Sequence, residues 1–244
     1  MARVYAGELQ QIDEEILEVA KRFPDDFWVF AEFNIGRNID WFIIRPKPLD
    51  PATLILTELK RLARPVRGMV DGVWERQLEN GEWEEMLPTN SDMNYYWQSV
   101  NTANFLADWL WTNQQIYRER ADIRPADEFR VWPDLLLLSP PGVQHRLPLG
   151  PPSRYGRWFY SIESWMHHVT SWNSKMGIQL SDRDVANLVE ALQLQPLYIP
   201  PSIERDHVRD HSRPGSEADM FVQYIQRLEQ RVARLEQKLG LESS

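Results

Sequence analysis

Apolar residues first recur at helical spacing at Ile12, Ile16, Val19, Ala20 and Phe23. This predicts an amphipathic helix over residues 8–23, closed by Pro24. The pattern then changes. Phe27–Phe33 is aromatic and β-branched and predicts a strand, followed by a turn over residues 34–38 around Gly36. Ile39-Asp40-Trp41-Phe42-Ile43-Ile44 and Thr53–Lys60 are short apolar runs bounded by turn signals, as expected of strands buried on both faces. Residues 73–78 and 82–87 flank Asn80-Gly81, a hairpin signal.

Downstream, residues 92–115 predict a long helix with Val100, Phe105, Leu106, Trp109 and Leu110 on its apolar side. Val131–Leu138 reads as a strand, the Pro- and Gly-rich stretch 139–156 as a loop, and 158–160 as a short strand. Two further helices are predicted, over 162–172 and from Ser181, a candidate N-cap, to about Gln193. The mixture predicts an α/β fold with a central mixed sheet flanked by helices. Residues 1–199 would form this domain and 200–219, with three prolines and many charges, a linker.

Residues 220–240 predict a coiled-coil helix. Ile225, Val232 and Leu239 fall at a, and Phe221, Leu228 and Leu235 at d, a pattern that favours a parallel homodimer. Glu229 and Glu236 at e and Arg231 and Lys238 at g suit the parallel orientation, in which Arg231 faces Glu236 of the second copy. A single helix docked on its own domain, or a seam for a different protein, are the alternatives.

With 244 residues, 43% of them hydrophobic, the chain has material for one ordinary core plus an appendage. It has no cysteine, which excludes disulfides and zinc–thiolate sites. No apolar run approaches a membrane span and the N-terminus lacks a secretory pattern, so a soluble, cytoplasmic protein is expected. A net charge of −9 argues against broad charge-driven coating of nucleic acid. It does not argue against a site in which carboxylates hold a cation, since these carboxylates themselves lower the formal count.

Candidate chemistry concentrates on two predicted strands. Residues i and i+2 of a strand share a face, so Glu58 and Lys60 emerge together at the end of a buried run. Asp40 lies inside the preceding apolar run. Ionised groups there are costly unless paired, hydrated or bound to metal. Adjacent strands would bring two carboxylates together, and a divalent cation relieves their repulsion. A cation there acidifies water for attack on a phosphodiester. Lys60 can orient that water, stabilise charge on the phosphate, or act as a base if its pKa is depressed. The plain alternative is a buried salt bridge from Lys60 to either acid.

The order of helix, strand, "GRNIDWFIIRP" and "LILTELK" resembles the NERD (nuclease-related) domain, a branch of the PD-(D/E)XK nuclease superfamily. The segment "NYYWQSVNTANFLADWL" is similar to the family's Asn-containing segment with a Gln opening a helix, here Asn94 and Gln98, with Tyr95 in place of the usual proline. The resemblance covers residues 8–138. It implies a PD-(D/E)XK restriction-endonuclease-like core, Mg²⁺ or Mn²⁺ as cofactor, and hydrolysis of nucleic acid, DNA in preference to RNA, as in genome defence or repair. It implies metal binding by Asp40, Glu58 and the Leu59 carbonyl, with Gln98 assisting Lys60 or the phosphate. It also implies a first-helix glutamate near the metal; Glu15 is the best match, with Glu8 and Glu14 as competitors. A protein that activates the enzyme is a possible partner.

Arg61, Arg64 and Arg67 follow this strand and offer a basic patch for phosphate contacts, or simply a solvated loop. The tryptophans at 97, 109, 111, 158, 165 and 172 suit core packing more than base stacking. His167-His168 and the pair His207/His211 lack further ligands at zinc spacings, and no Gly-rich phosphate loop or Gly-x-Ser-x-Gly appears. Against a nuclease stand a non-catalytic nucleic-acid-binding or assembly protein on the same fold, and a coiled-coil adaptor docking through residues 139–200.

Overall fold

A computed structural model describes residues 1–7, 14–47, 49–88, 92–119, 129–147, 156–175 and 177–201. The chain divides into two compact units, Met1–Ile199 and Pro200–Ser244. The expected coiled-coil helix, most of the expected linker, and His207 and His211 lie outside the described residues.

The first unit is α/β. Its elements run β1 (Arg3–Ala6), α1 (Glu14–Ala20), β2 (Trp28–Asn34), β3 (Asn38–Arg45), β4 (Thr53–Arg61), β5 (Val66–Arg67), β6 (Trp74–Gln77), β7 (Trp83–Met86), α2 (Tyr95–Thr112), α3 (Gln114–Tyr117), β8 (Trp132–Leu138), β9 (Arg157–Phe159), α4 (Ile162–Ser171), α5 (Asp182–Ala191) and β10 (Gln195–Tyr198). Seven strands form one mixed sheet in the order β10-β1-β2-β3-β4-β8-β9. β2, β3 and β4 form an antiparallel meander, and β8 returns parallel to β4 after the α2 crossover. The Asn80-Gly81 hairpin joins β6 and β7 in a separate three-stranded sheet with β5, and Gly81 takes the left-handed φ of +85° that the turn needs.

Helices cover both faces, so the central strands are apolar on both sides. On one face Phe30, Phe42, Ile44, Leu54 and Leu56 pack with Ala103, Leu106 and Leu110 of α2 and Val185 and Leu188 of α5. On the other, Val29, Trp41, Ile43, Ile55 and Leu136 pack with Ile16 and Val19 of α1 and Trp165 and Val169 of α4. Trp165 is buried in the second of these cores and Trp158 in a third cluster with Trp74, Tyr96 and Val100, as expected, whereas Trp111 is exposed. Among the described residues no helix is long and apolar enough to cross a membrane.

Helix ends follow local hydrogen bonding. α2 begins at Tyr95 rather than at residue 92, because the side chain of Asn94 accepts the Trp97 N–H at 3.0 Å and fixes the N-cap there. Asp92 is thereby left outside the helix. Ser181 caps α5 reciprocally with Asp184: its Oγ accepts the Asp184 N–H at 3.1 Å, and Asp184 Oδ2 accepts the Ser181 N–H at 2.8 Å. α5 ends at Ala191, with Gln193 at a left-handed φ of +55°, so the chain turns sooner than periodicity alone suggests.

Candidate active site

β3 and β4 pair from Arg45↔Thr53 to Trp41↔Thr57. β2 and β3 pair at Ala31↔Trp41 and again at Phe33↔Ile39, and between them Glu32 adopts φ +44°. A non-glycine residue in the left-handed region is strained, and here it kinks β2 beside Asp40. Asp40 thus sits where the regular ladders on both sides of β3 are interrupted. Its carboxylate supplies a missing acceptor: Oδ2 accepts the Leu59 N–H at 2.8 Å. The two acid-bearing strands are fastened together at the point where the chemistry gathers.

Glu58 and Lys60 share one face of β4, as their spacing predicts. The Lys60 ammonium donates to Glu58 Oε1 at 2.7 Å, and Gln98 Nε2 of α2 donates to the same oxygen at 2.6 Å. Glu58 is only 3% exposed and Lys60 retains 24% of its side-chain surface, so the lysine marks the open side. Lys60 Nζ also lies 5.3 Å from the Tyr95 ring centroid. The structure brings together Asp40, Glu58, Leu59, Lys60 and Gln98, the central residues of the sequence argument.

The electrostatics are those of an acid-rich site with one cation. Burial pushes the Glu58 carboxyl up to about 7; the Asp40 and Asp92 charges add to the rise and Lys60 opposes it. Asp40 is also raised by burial, against the pull of Lys60 and the Leu59 hydrogen bond. Burial works against the Lys60 charge, but the two carboxylates outweigh it and hold the ammonium above its ordinary range. Lys60 therefore stays charged near neutrality and is suited to stabilising negative charge, not to abstracting a proton.

Two carboxylates and the neighbouring backbone oxygens are hard donors, which suits Mg²⁺ or Mn²⁺ with water completing the shell. Among the described residues no three acidic or histidine side chains surround one point. Glu15 accordingly does not join Asp40 and Glu58 as a third ligand; it is exposed on α1 and paired with Arg61 at 3.0 Å. Glu14 is exposed on the same turn, and Glu8 lies outside the described residues.

The three arginines do not form a free basic patch. Arg61 meets Glu15, Arg64 meets Glu79, and Arg67 donates to Glu75 at 2.6 Å while lying 4.3 Å from the Trp83 ring centroid. Another cation escaped the sequence argument. Arg37, on the β2–β3 turn, lies 5.6 Å from the Phe105 ring centroid, and its Nη1 is buried without a hydrogen-bond partner. Ser139 and His145 suggest a nucleophile and base, with Oγ and Nε2 2.8 Å apart. His145 Nδ1, however, accepts the Val66 N–H at 3.1 Å, so Nε2 carries the proton and cannot take one from Ser139.

The chain matches no protein-family model, no curated protein and no solved structure.

Proposed function

We propose that this protein is a metal-dependent nuclease that hydrolyses phosphodiester bonds of nucleic acid, DNA in preference to RNA, on a PD-(D/E)XK-like core. The observation that carries the reading is the convergence of Asp40, buried Glu58 and charged Lys60 at the frayed end of the β3–β4 ladder. The order α1, β2, β3 with Asp40, then β4 with Glu58 and Lys60 agrees with the resemblance drawn from the sequence. A divalent cation held by Asp40 and Glu58 would supply a Lewis acid that acidifies water and offsets phosphate charge. Lys60, protonated and on the open side, stabilises the charge that builds on the phosphate. Gln98 fixes the Glu58 carboxylate from α2 and keeps its rotamer defined.

The competing reading, a binding or assembly protein on the same scaffold, draws on the same contacts: Lys60–Glu58 is also a complete ion pair. Purified full-length protein incubated with linear and plasmid DNA separates the two. The nuclease cuts with Mg²⁺ or Mn²⁺ and stops with EDTA, and Lys60→Ala cuts no faster than background while melting as wild type. Undiminished cutting by Lys60→Ala removes the lysine from the mechanism. Metal-independent binding without cleavage favours the alternative.

A further inference from the structure

Lys60 has a second neighbour that the proposed chemistry has not used. Its Nζ donates to Glu58 Oε1 at 2.7 Å and also lies over the ring of Tyr95, 5.3 Å from the centroid. An ammonium within about 6 Å of an aromatic face is attracted by the ring quadrupole. Glu58 Oε1 is the more crowded of the two seats, since Gln98 Nε2 donates to it at 2.6 Å. A carboxylate that turns its charge to a divalent cation holds an ammonium less well, and the cation repels the ammonium. A ring face carries no net charge and is no ligand for a hard cation, so its hold on Lys60 survives.

The ring is held in place from two sides. Tyr95 opens α2, directly after the buried cap Asn94. The Asn94 side chain accepts the Trp97 N–H at 3.0 Å and donates to the carbonyls of Val70 and Gly72 at 2.9 and 2.8 Å. Trp74, fully buried, meets the Tyr95 ring edge to face with centroids 6.3 Å apart, and its own indole N–H donates to the Met69 carbonyl at 3.0 Å. Tyr95 itself is half-buried. It stands where the resembled family has a proline, so the ring is a feature of this chain.

We propose that Tyr95 is a positioning residue for the nuclease reaction: its ring face keeps the Lys60 ammonium at the open side of the site when Glu58 is engaged by a cation. This rests on the reading of Asp40, Glu58 and Lys60 as a nuclease site. Tyr95 acts through Lys60 and takes no bond to the cation or to the phosphate. Without the ring, an ammonium released from Glu58 would turn to water, and the charge that stabilises the phosphate would be less well placed.

Full-length protein carrying phenylalanine and then increasingly fluorinated phenylalanines at position 95 tests this, because each fluorine weakens the ring face while nearly keeping its shape. Tyr95→Leu lowers metal-dependent DNA cutting by about three- to thirtyfold at saturating DNA, with KM little changed. Tyr95→Phe restores the rate to within about twofold of wild type, and the rate then falls with each fluorine. A space-filling role would leave it flat across the series. Lysine labelled at Cε gives a readout apart from activity: in wild type, ring current moves the Lys60 ε-methylene protons upfield, and the shift persists in saturating Mg²⁺. A flat fluorine series, or an upfield shift that vanishes when Mg²⁺ is added, overturns the role of Tyr95 and leaves the nuclease reading standing. Wild type that cuts no DNA with Mg²⁺ or Mn²⁺ overturns both. If Tyr95→Leu fails to fold, the fluorinated series and the labelled wild type decide.

Discussion

Two buried acids lie almost side by side in the sheet and have opposite surroundings. In the β4–β8 ladder Thr57 pairs with Asp134 and Glu58 with Leu135, so Asp134 and Glu58 are one register step apart and face different helical layers. Glu58 faces α2, where it meets Lys60 and Gln98 but also the charges of Asp40 and Asp92. Asp134 faces α4. His168 Nε2 lies 3.5 Å from its Oδ1, and Arg157 approaches His168 Nδ1 at 3.3 Å. Arginine can only donate, so Nδ1 accepts and Nε2 presents the N–H to Asp134. Burial raises both acids, but His168 and Arg157 oppose the rise at Asp134, and no other acid adds to it. Burial alone therefore does not mark a reactive acid. Like-charged neighbours, an open side and the end of the β3–β4 ladder distinguish Glu58 from Asp134, which only bases oppose.

The largest effect expected from breaking this contrast is on catalysis. Lys60→Ala or Asp40→Asn lowers the metal-dependent cutting rate by at least about a hundredfold, the scale of losing one preorganised electrostatic contact. His168→Ala leaves the rate per folded molecule within about twofold. Steady-state cleavage of one labelled duplex by all three variants checks both sides. Equal losses at His168 and Lys60 would mean that the two acids act as one site.

The next effect is on pH-dependent stability. A carboxyl whose folded pKa lies above its unfolded value favours folding while protonated, and that contribution is lost as pH rises through the folded value. For Glu58 the window runs from 4.5 up to about 7. Without metal, the protein should lose stability across this range by up to roughly 3 kcal/mol. Glu58→Gln should flatten the slope, and so should saturating Mn²⁺, which favours the ionised form. Asp134 contributes with the same sign, and its share should survive Mn²⁺ because the proposed cation site lies on the other face of the sheet. Chemical denaturation at several pH values, with and without Mn²⁺, measures this; an unchanged slope with Mn²⁺ would remove the cation from Glu58.

Much of this contrast was legible in the sequence. Strands β2, β3, β4 and β8 announce themselves by short, predominantly apolar runs, each carrying one acid, and the Glu58–Lys60 spacing fixes their common face. Gln98 follows from helical periodicity once α2 is recognised. Other features depend on distant contacts. β1 and β10 are four residues each, too short for a period, and exist because Val4 meets Tyr198 across nearly the whole chain. Asp92 read as part of a helix until the Asn94 cap excluded it. The Glu32 kink leaves no trace in hydrophobic pattern, since a glutamate gives no sign of a positive φ. Asp134 lies within a predicted strand, but its partner His168 comes from a helix 34 residues further along.

The His168→Ala variant should also cost stability, about 1–3 kcal/mol, because Asp134 then stays buried without its N–H partner. A smaller change on the same face sharpens the contrast further. Trp165 is fully buried in α4, and its indole N–H donates to Thr57 Oγ1 at 3.1 Å, one residue before Glu58. Trp165→Phe keeps most of the aromatic contact with Phe23 but removes that donor. The net worth of such a bond is about 1 kcal/mol, so a drop of a few degrees in melting temperature is expected. If the two faces of β4 are energetically separate, cutting by the folded variant and its affinity for Mn²⁺ remain at wild-type values. Should Mn²⁺ affinity fall instead, the Thr57 anchor would be setting the position of Glu58 through the strand itself, and the α4 layer would belong to the site.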